Sequence, residues 1–191
     1  MMAWVGKFGF ILLLGGLVTA CLQKPPAELV VMTGDGIAPG GSARSRVAVN
    51  IPAVSAPEYL DTYDVLIRTS EFSLKAAPNA KWAEKPSAAL TRLIRARAAA
   101  SGFATVDRAD YDVLVDVDRF EPTSGGTVVL SARWRVVDAD DRETVVARGG
   151  DTIYQPVAQG PNGNIAAMEV AGQELARRVV SSIPRRARRS S

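Results

Sequence analysis

The chain of 191 residues has no histidine and one cysteine, Cys21. A lone cysteine excludes an internal disulfide, so stability must come from packing. The missing histidine removes the commonest metal ligand and the Ser-His and Cys-His nucleophile pairs. Positive charge is also scarcer than the totals suggest. Of 23 Lys+Arg, Lys7 lies in the leader and Arg185, Arg186, Arg188 and Arg189 in the last seven residues, leaving 18 against 20 Asp+Glu in the body. The sequence pI of about 9.2 therefore describes a tail, and a nucleic-acid partner loses its support. GDG and PGG stand in the Gly/Ser-rich loop 34–45, but no GKS or GKT follows, which excludes a phosphate loop. The apolar run near the start falls short of the roughly 20 residues a membrane-crossing helix needs.

What that start does contain is Lys7, an apolar stretch over 8–18, and the small pair Thr19 and Ala20. Residues 1–20 read as a secretory signal peptide. Val18, Thr19, Ala20 and Cys21 resemble the lipobox of bacterial lipoproteins: an aliphatic residue, two small ones, then the cysteine that becomes residue one. The resemblance implies signal-peptidase recognition at Val18, Thr19 and Ala20, and a diacylglycerol thioether with an acylated amino terminus at Cys21. The alternatives are a plain signal peptide with an incidental cysteine, or an uncleaved anchor. Each buried methylene adds about 0.8 kcal/mol of membrane affinity, so two or more acyl chains hold a domain durably. Leu22 stands where lipoproteins retained at the inner membrane typically carry Asp, so the resemblance favours the outer membrane.

The mature chain then divides into a tether over 21–28, one domain over 29–184, and a disordered Arg-rich tail over 185–191. Residues 29–33 form a short apolar run suited to a buried strand. Val47, Val49 and Ile51 alternate with polar partners up to Pro52, and Tyr63, Val65 and Ile67 alternate in a second strand. Residues 73–81 read as a polar connection. From Trp82 the period changes: Leu90, Leu93, Ile94, Arg97 and Ala98 fall on one stripe of a helix over 82–101. Pro86 suits its first turn and Gly102 its C-terminal cap, while Lys85, Arg92 and Arg95 face solvent.

The strongest pattern is a hairpin. Tyr111, Val113, Val115 and Val117 alternate with Asp112, Leu114, Asp116 and Asp118. Beyond a turn at Ser124 and Gly125, Val128, Leu130, Ala132, Trp134 and Val136 alternate with Arg133 and Arg135. Centring the turn there sets Asp116 opposite Arg133 and Val115 opposite Trp134, a register that a one-residue slip destroys. Asp138, Asp140 and Asp141 turn the chain into a strand over 144–149. A helix over 164–182 follows, capped by Asn164 and ended by Pro184, with Ile165, Met168, Leu175, Val179 and Ile183 as its stripe. The fold class is α+β: a largely antiparallel sheet of about five to six strands, with two helices packed on one face.

Pro57, Glu58, Tyr59, Leu60 and Asp61, a strand ending at Arg68, Trp82-Ala83-Glu84 before a helix, the long Trp134 hairpin and a C-terminal amphipathic helix follow the lipobox in this order. Together they resemble the ABC-type transport auxiliary lipoproteins, the PqiC-like family. Thr62 departs from the basic residue usual after the Leu-Asp pair, and Lys85 intervenes before Pro86. The resemblance implies a non-catalytic outer-membrane lipoprotein, facing the periplasm and docked to an MCE-domain protein that carries lipid. It implies no cofactor beyond the covalent lipid on Cys21, no metal and no catalytic residues. Tyr59 and Leu60 are candidate partner contacts, with burial beneath the loop as the alternative. Trp82 and Trp134 read as core. The Asp138 group reads as turn chemistry, since no stretch suggests two carboxylates in a cleft. Two other functions remain open: a free-standing lipid or small-ligand binder with a pocket among Leu90, Ile94, Met168 and Leu175, and a structural lipoprotein that grips the cell wall.

Overall fold

A computed structural model of the chain describes residues 26–37 and 47–185. Val18, Thr19, Ala20 and Cys21, and the tail beyond Arg185, lie outside the described residues. The elements are β1 (Glu28–Val30), β2 (Ala48–Asn50), β3 (Asp64–Ser70), β4 (Ser73–Trp82), α1 (Pro86–Ala100), β5 (Ala104–Thr105), β6 (Tyr111–Pro122), β7 (Thr127–Asp138), β8 (Val145–Pro156) and α2 (Gly163–Ser181).

The α+β class with two helices holds. The sheet does not stay single: the strands form a three-stranded sheet, β1-β4-β3, and a five-stranded one, β5-β2-β6-β7-β8. Both are mixed, because β1 runs parallel to β4 and β2 parallel to β5 and β6. Alternation along a strand tells which face it buries but not which strand lies beside it, so these parallel neighbours left no mark in the sequence.

The β6–β7 hairpin has the predicted register, with Val115 opposite Trp134 and Asp116 opposite Arg133. A bulge between Val117 and Arg119 then brings Asp118 within reach of Arg133. The arginine accordingly makes its paired hydrogen bonds to Asp118, at 2.8 and 3.2 Å, rather than to the residue opposite it. β8 runs well past the predicted end at Gly149. Its Gly149 is opposite Trp134, and a Cβ there would stand 2.4 Å from the indole ring. The glycine therefore marks a close approach inside a strand rather than a strand's end. The Trp134 Nε1–H donates to Ser182 Oγ at 3.0 Å, tying the sheet to the end of α2.

Other boundaries shift for similar reasons. Residues 73–81 belong to β4, whose polar look follows from exposure on both faces, and Trp82 closes that strand instead of opening a helix. Its N–H donates to Tyr63 O at 2.7 Å. Residues 29–33 are not a strand buried on both faces: Val30 and Met32 are buried while Leu29 and Val31 are exposed, as suits an edge. Tyr63 is exposed rather than inward. α1 starts at Pro86 rather than at the expected Trp82, and Gly102 has the left-handed φ of +89° that a helix stop favours. α2 starts one residue early, after Asn162 in place of Asn164, and Asn162 makes no side-chain cap. Arg95 is not simply solvated, since it donates to Ile51 O at 2.9 and 2.6 Å, and Arg92 binds Glu84 and the Met32 carbonyl.

α2 lies across β6, β7 and β8, with α1 beside it. The helices approach closely at Gly172, where a Cβ would stand 3.1 Å from both Leu90 and Leu93. Leu90, Ile94, Met168 and Leu175, the residues an apolar ligand pocket would need, are all buried in one continuous core.

Gly149→Ala places a methyl group against the Trp134 ring. It is expected to lower unfolding stability by roughly 1–3 kcal/mol, the usual cost of overpacking, read from the urea midpoint. Gly125→Ala, in an open turn with only Thr123 Oγ1 within 4 Å, is the control expected to change it far less.

Candidate functional site

The segment 57–61 folds as a tight turn in which Pro57 O accepts from the N–H groups of Leu60 and Asp61, at 2.9 and 3.2 Å. The turn gives its residues different tasks. Leu60 points into the core with 4% of its surface exposed, whereas Tyr59 keeps 42%. Asp61 Oδ1 accepts from Ser87 N–H at 3.3 Å, and Asp61 Oδ2 lies 3.6 Å from Lys85 Nζ. Lys85 precedes α1 without capping it through its side chain, so Asp61 satisfies a free N–H of the first turn from outside the helix. Of the two candidate contact residues, Tyr59 is available to a partner and Leu60 is structural.

Behind Tyr59 lies a buried carboxylate. Glu121 has no exposed surface and takes Arg68 Nε at 2.7 Å and Arg119 Nε at 3.0 Å on one oxygen, with Phe120 N–H on the other at 3.2 Å. Charge-assisted bonds of this kind are what a buried carboxylate needs. Glu121, hydrogen-bonded to Arg68, raises that guanidinium above its ordinary range. Burial opposes the effect and Tyr59 adds a little to it.

From Tyr59 the open face of the five-stranded sheet continues without a break. The Tyr59 hydroxyl donates to Asp118 O at 3.4 Å, the Asp118 carboxylate holds Arg133, and Arg133 lines a cleft of about 580 Å³. Asp116, Arg135, Val145 and Arg148 complete its walls, over the backbone of Trp134 and Gly149. Asp118 raises the Arg133 guanidinium above its usual range, chiefly through their hydrogen bond. Arg135 and Arg148 lie directly opposite each other across β7 and β8. Like charges so placed repel, and no described carboxylate is bonded to either. The cleft thus presents two free guanidinium groups able to take an anionic group in paired hydrogen bonds. The sequence did not reveal this pair, because a bulge between Val136 and Val137 shifts the register by one residue from what the turn implies.

The other polar clusters are structural. Asp138 Oδ1 accepts from the N–H groups of Asp140 and Asp141, at 3.0 and 3.3 Å. Asp141 accepts from Thr144 Oγ1 at 2.7 Å and from Glu143 N–H at 3.2 Å, and these bonds hold its carboxyl below the usual carboxylate range. This is the chemistry of a turn. Among the described residues no group of His, Cys, Asp and Glu is placed to hold a metal ion. No described helix is long and apolar enough to cross a membrane. At the start of the predicted tail, the Arg185 guanidinium lies over the Phe103 ring, 5.7 Å from its centroid.

Glu121→Gln keeps the shape and removes the charge that Arg68 and Arg119 share. The expected loss is roughly 1–3 kcal/mol in chemical denaturation, moderated because both arginines can turn to water.

Among curated proteins none has a matching sequence. Among solved structures, the crystal structure of protein XCC0632 from Xanthomonas campestris, described as DUF330, superposes with a TM-score of 0.66 at 21% identity. That match covers 81% of this chain and 90% of the other. The crystal structure of an uncharacterised protein superposes with a TM-score of 0.63 at 16% identity, over 77% of this chain and 100% of that one. Both share the fold. Residues 34–180 match the family described as the ABC-type transport auxiliary lipoprotein component, a span running from the loop after β1 almost to the end of α2. By that match the chain belongs to the ABC-type transport auxiliary lipoprotein family.

Proposed function

We propose that this chain is a non-catalytic lipoprotein of an ABC/MCE-type lipid-transport system. Acylated Cys21 anchors it in the inner leaflet of the outer membrane, where it docks the periplasmic assembly and so supports the lipid balance of the envelope. Family membership supports the transport association. The observation that carries the docking role is the open sheet face, where exposed Tyr59 connects through Asp118 to Arg133, which shares a cleft with the uncompensated pair Arg135 and Arg148. Two like charges held opposite each other weaken the free domain and gain their value when a partner brings carboxylates, as is common where function is set against stability. Tyr59 supplies the amphipathic anchor that interfaces favour.

The test is co-purification of the chain with an MCE-domain protein from the same organism, expressed together. Tyr59→Ala and Arg148→Ala are each expected to reduce the captured partner at least several-fold. Arg148→Ala should leave the free domain as stable as before or slightly more so. Purification of the unaltered chain free of the MCE protein refutes the docking role. The anchor is checked separately: labelled palmitate is expected on the expressed chain and absent from Cys21→Ser.

A further inference from the structure

β3 and β4 form an arm. From Ser73 to Ala76, β4 pairs only with β3; it then bulges, and β1 joins its other edge from Ala80 onward. The arm passes the last point where it touches the large sheet, the bridge between Arg68 and Thr123, and turns at Glu71 and Phe72. Phe72 is 89% exposed, more than any other large apolar side chain among the described residues. Arg68 Nη1 donates to Glu71 O at 2.9 Å, so the tip is oriented by the same arginine that binds buried Glu121.

The register of β1 relates this tip to the chain's own anchor. β1 runs parallel to β4 with Glu28 opposite Ala80. Seven residues lead from Cys21 to Glu28. Whatever path the tether takes, its reach is at most about 25 Å, from about 3.3–3.6 Å per residue. Because β4 bulges between Ala76 and Lys81, the length of the arm is set by β3: the six residues from Ser70 to Asp64, opposite Lys81, place the tip about 20 Å away, on the side from which the tether enters β1. Along the arm, a bilayer fixed to Cys21 therefore cannot lie appreciably beyond Phe72. The tether's full reach thus ends close to the tip, and the residue there is a bare aromatic ring.

We propose that Phe72 is a second seat on the membrane, entering the headgroup region of a phospholipid bilayer beside the acylated cysteine. This inference rests on the anchoring of Cys21 proposed above. The exposed charges flanking the tip in sequence, Glu71 and Lys75, have opposite signs, so the contact is apolar and insensitive to salt. Anchor and ring together restrict how the domain tilts, which a single point of attachment does not, and they hold the open sheet face at a set angle to the membrane.

The test uses the full chain, acylated during expression and reconstituted into vesicles of phosphatidylethanolamine with a minor share of phosphatidylglycerol. Cys21 is the only native cysteine and its thiol is consumed by acylation, so an environment-sensitive dye labels only an added one. Phe72→Cys places it at the tip, and Asp140→Cys at the turn between β7 and β8. On vesicles that float with the protein, emission from position 72 is expected to shift to the blue and be quenched by lipids spin-labelled near the headgroup, equally in low and high salt. Emission from position 140 is expected to stay water-like. A water-like signal at position 72 on floated vesicles overturns the seat while leaving the anchor intact. A blue-shifted signal already present without lipid assigns the tip to a protein neighbour and overturns it as well. A chain that does not float removes anchor and seat together.

Discussion

The Trp134 ring lying across Gly149 is the contact on which the large sheet depends. It pins the register between β7 and β8, because only glycine leaves room for the indole at that position. Through Nε1 it also fixes the end of α2 at Ser182. With β8 so placed, Arg148 has no alternative to facing Arg135 on the other side of the sheet. A packing decision on the buried face thereby sets the electrostatics of the open one.

A second constraint joins the two sheets. Glu121 on β6 is buried without any exposed surface and is satisfied by Arg68 from β3 and by its own neighbour Arg119. Removing a carboxylate from water is costly unless its oxygens are bonded, so the pairing fixes how the small sheet meets the large one. Asp61 acts in a similar way at the start of α1. The residues from Pro57 to Asp61 therefore join three functions in one turn: a backbone acceptor, a core side chain and a helix cap, with Tyr59 left over for the surface.

These constraints give the molecule two ends with different chemistry. The turn between β7 and β8 is a polar end, its carboxylates engaged by backbone N–H groups and Thr144. The arm of β3 and β4 is opposite in character, thin, exposed and tipped by an aromatic ring. The helices fill the space between with a continuous aliphatic core that the close approach at Gly172 completes. Many polar groups of the body are thus spent on structure, whereas Arg135 and Arg148 on the open sheet face are set against each other.

Much of this was legible in the sequence alone. The period of two in 111–118 and 128–137 specified the central hairpin's register from Tyr111 as far as its bulge, since a slip would turn Val115 and Trp134 to water. Periods of three and four specified both helices, and Gly102 the end of the first, because a glycine stop acts through backbone geometry that needs no neighbour. The same locality explains why the Asp138 turn was readable. What tertiary structure alone decided were the contacts between segments distant in the chain. These include the parallel pairing of β1 with β4 and of β2 with β5 and β6, the strand character of the polar run 73–81, and the division of Tyr59 from Leu60. They also include the two bulges that gave Asp118 to Arg133 and set Arg135 against Arg148. Side-chain periodicity reports a segment's own buried face; a neighbour's identity and a one-residue shift in pairing arise only when the faces are packed together.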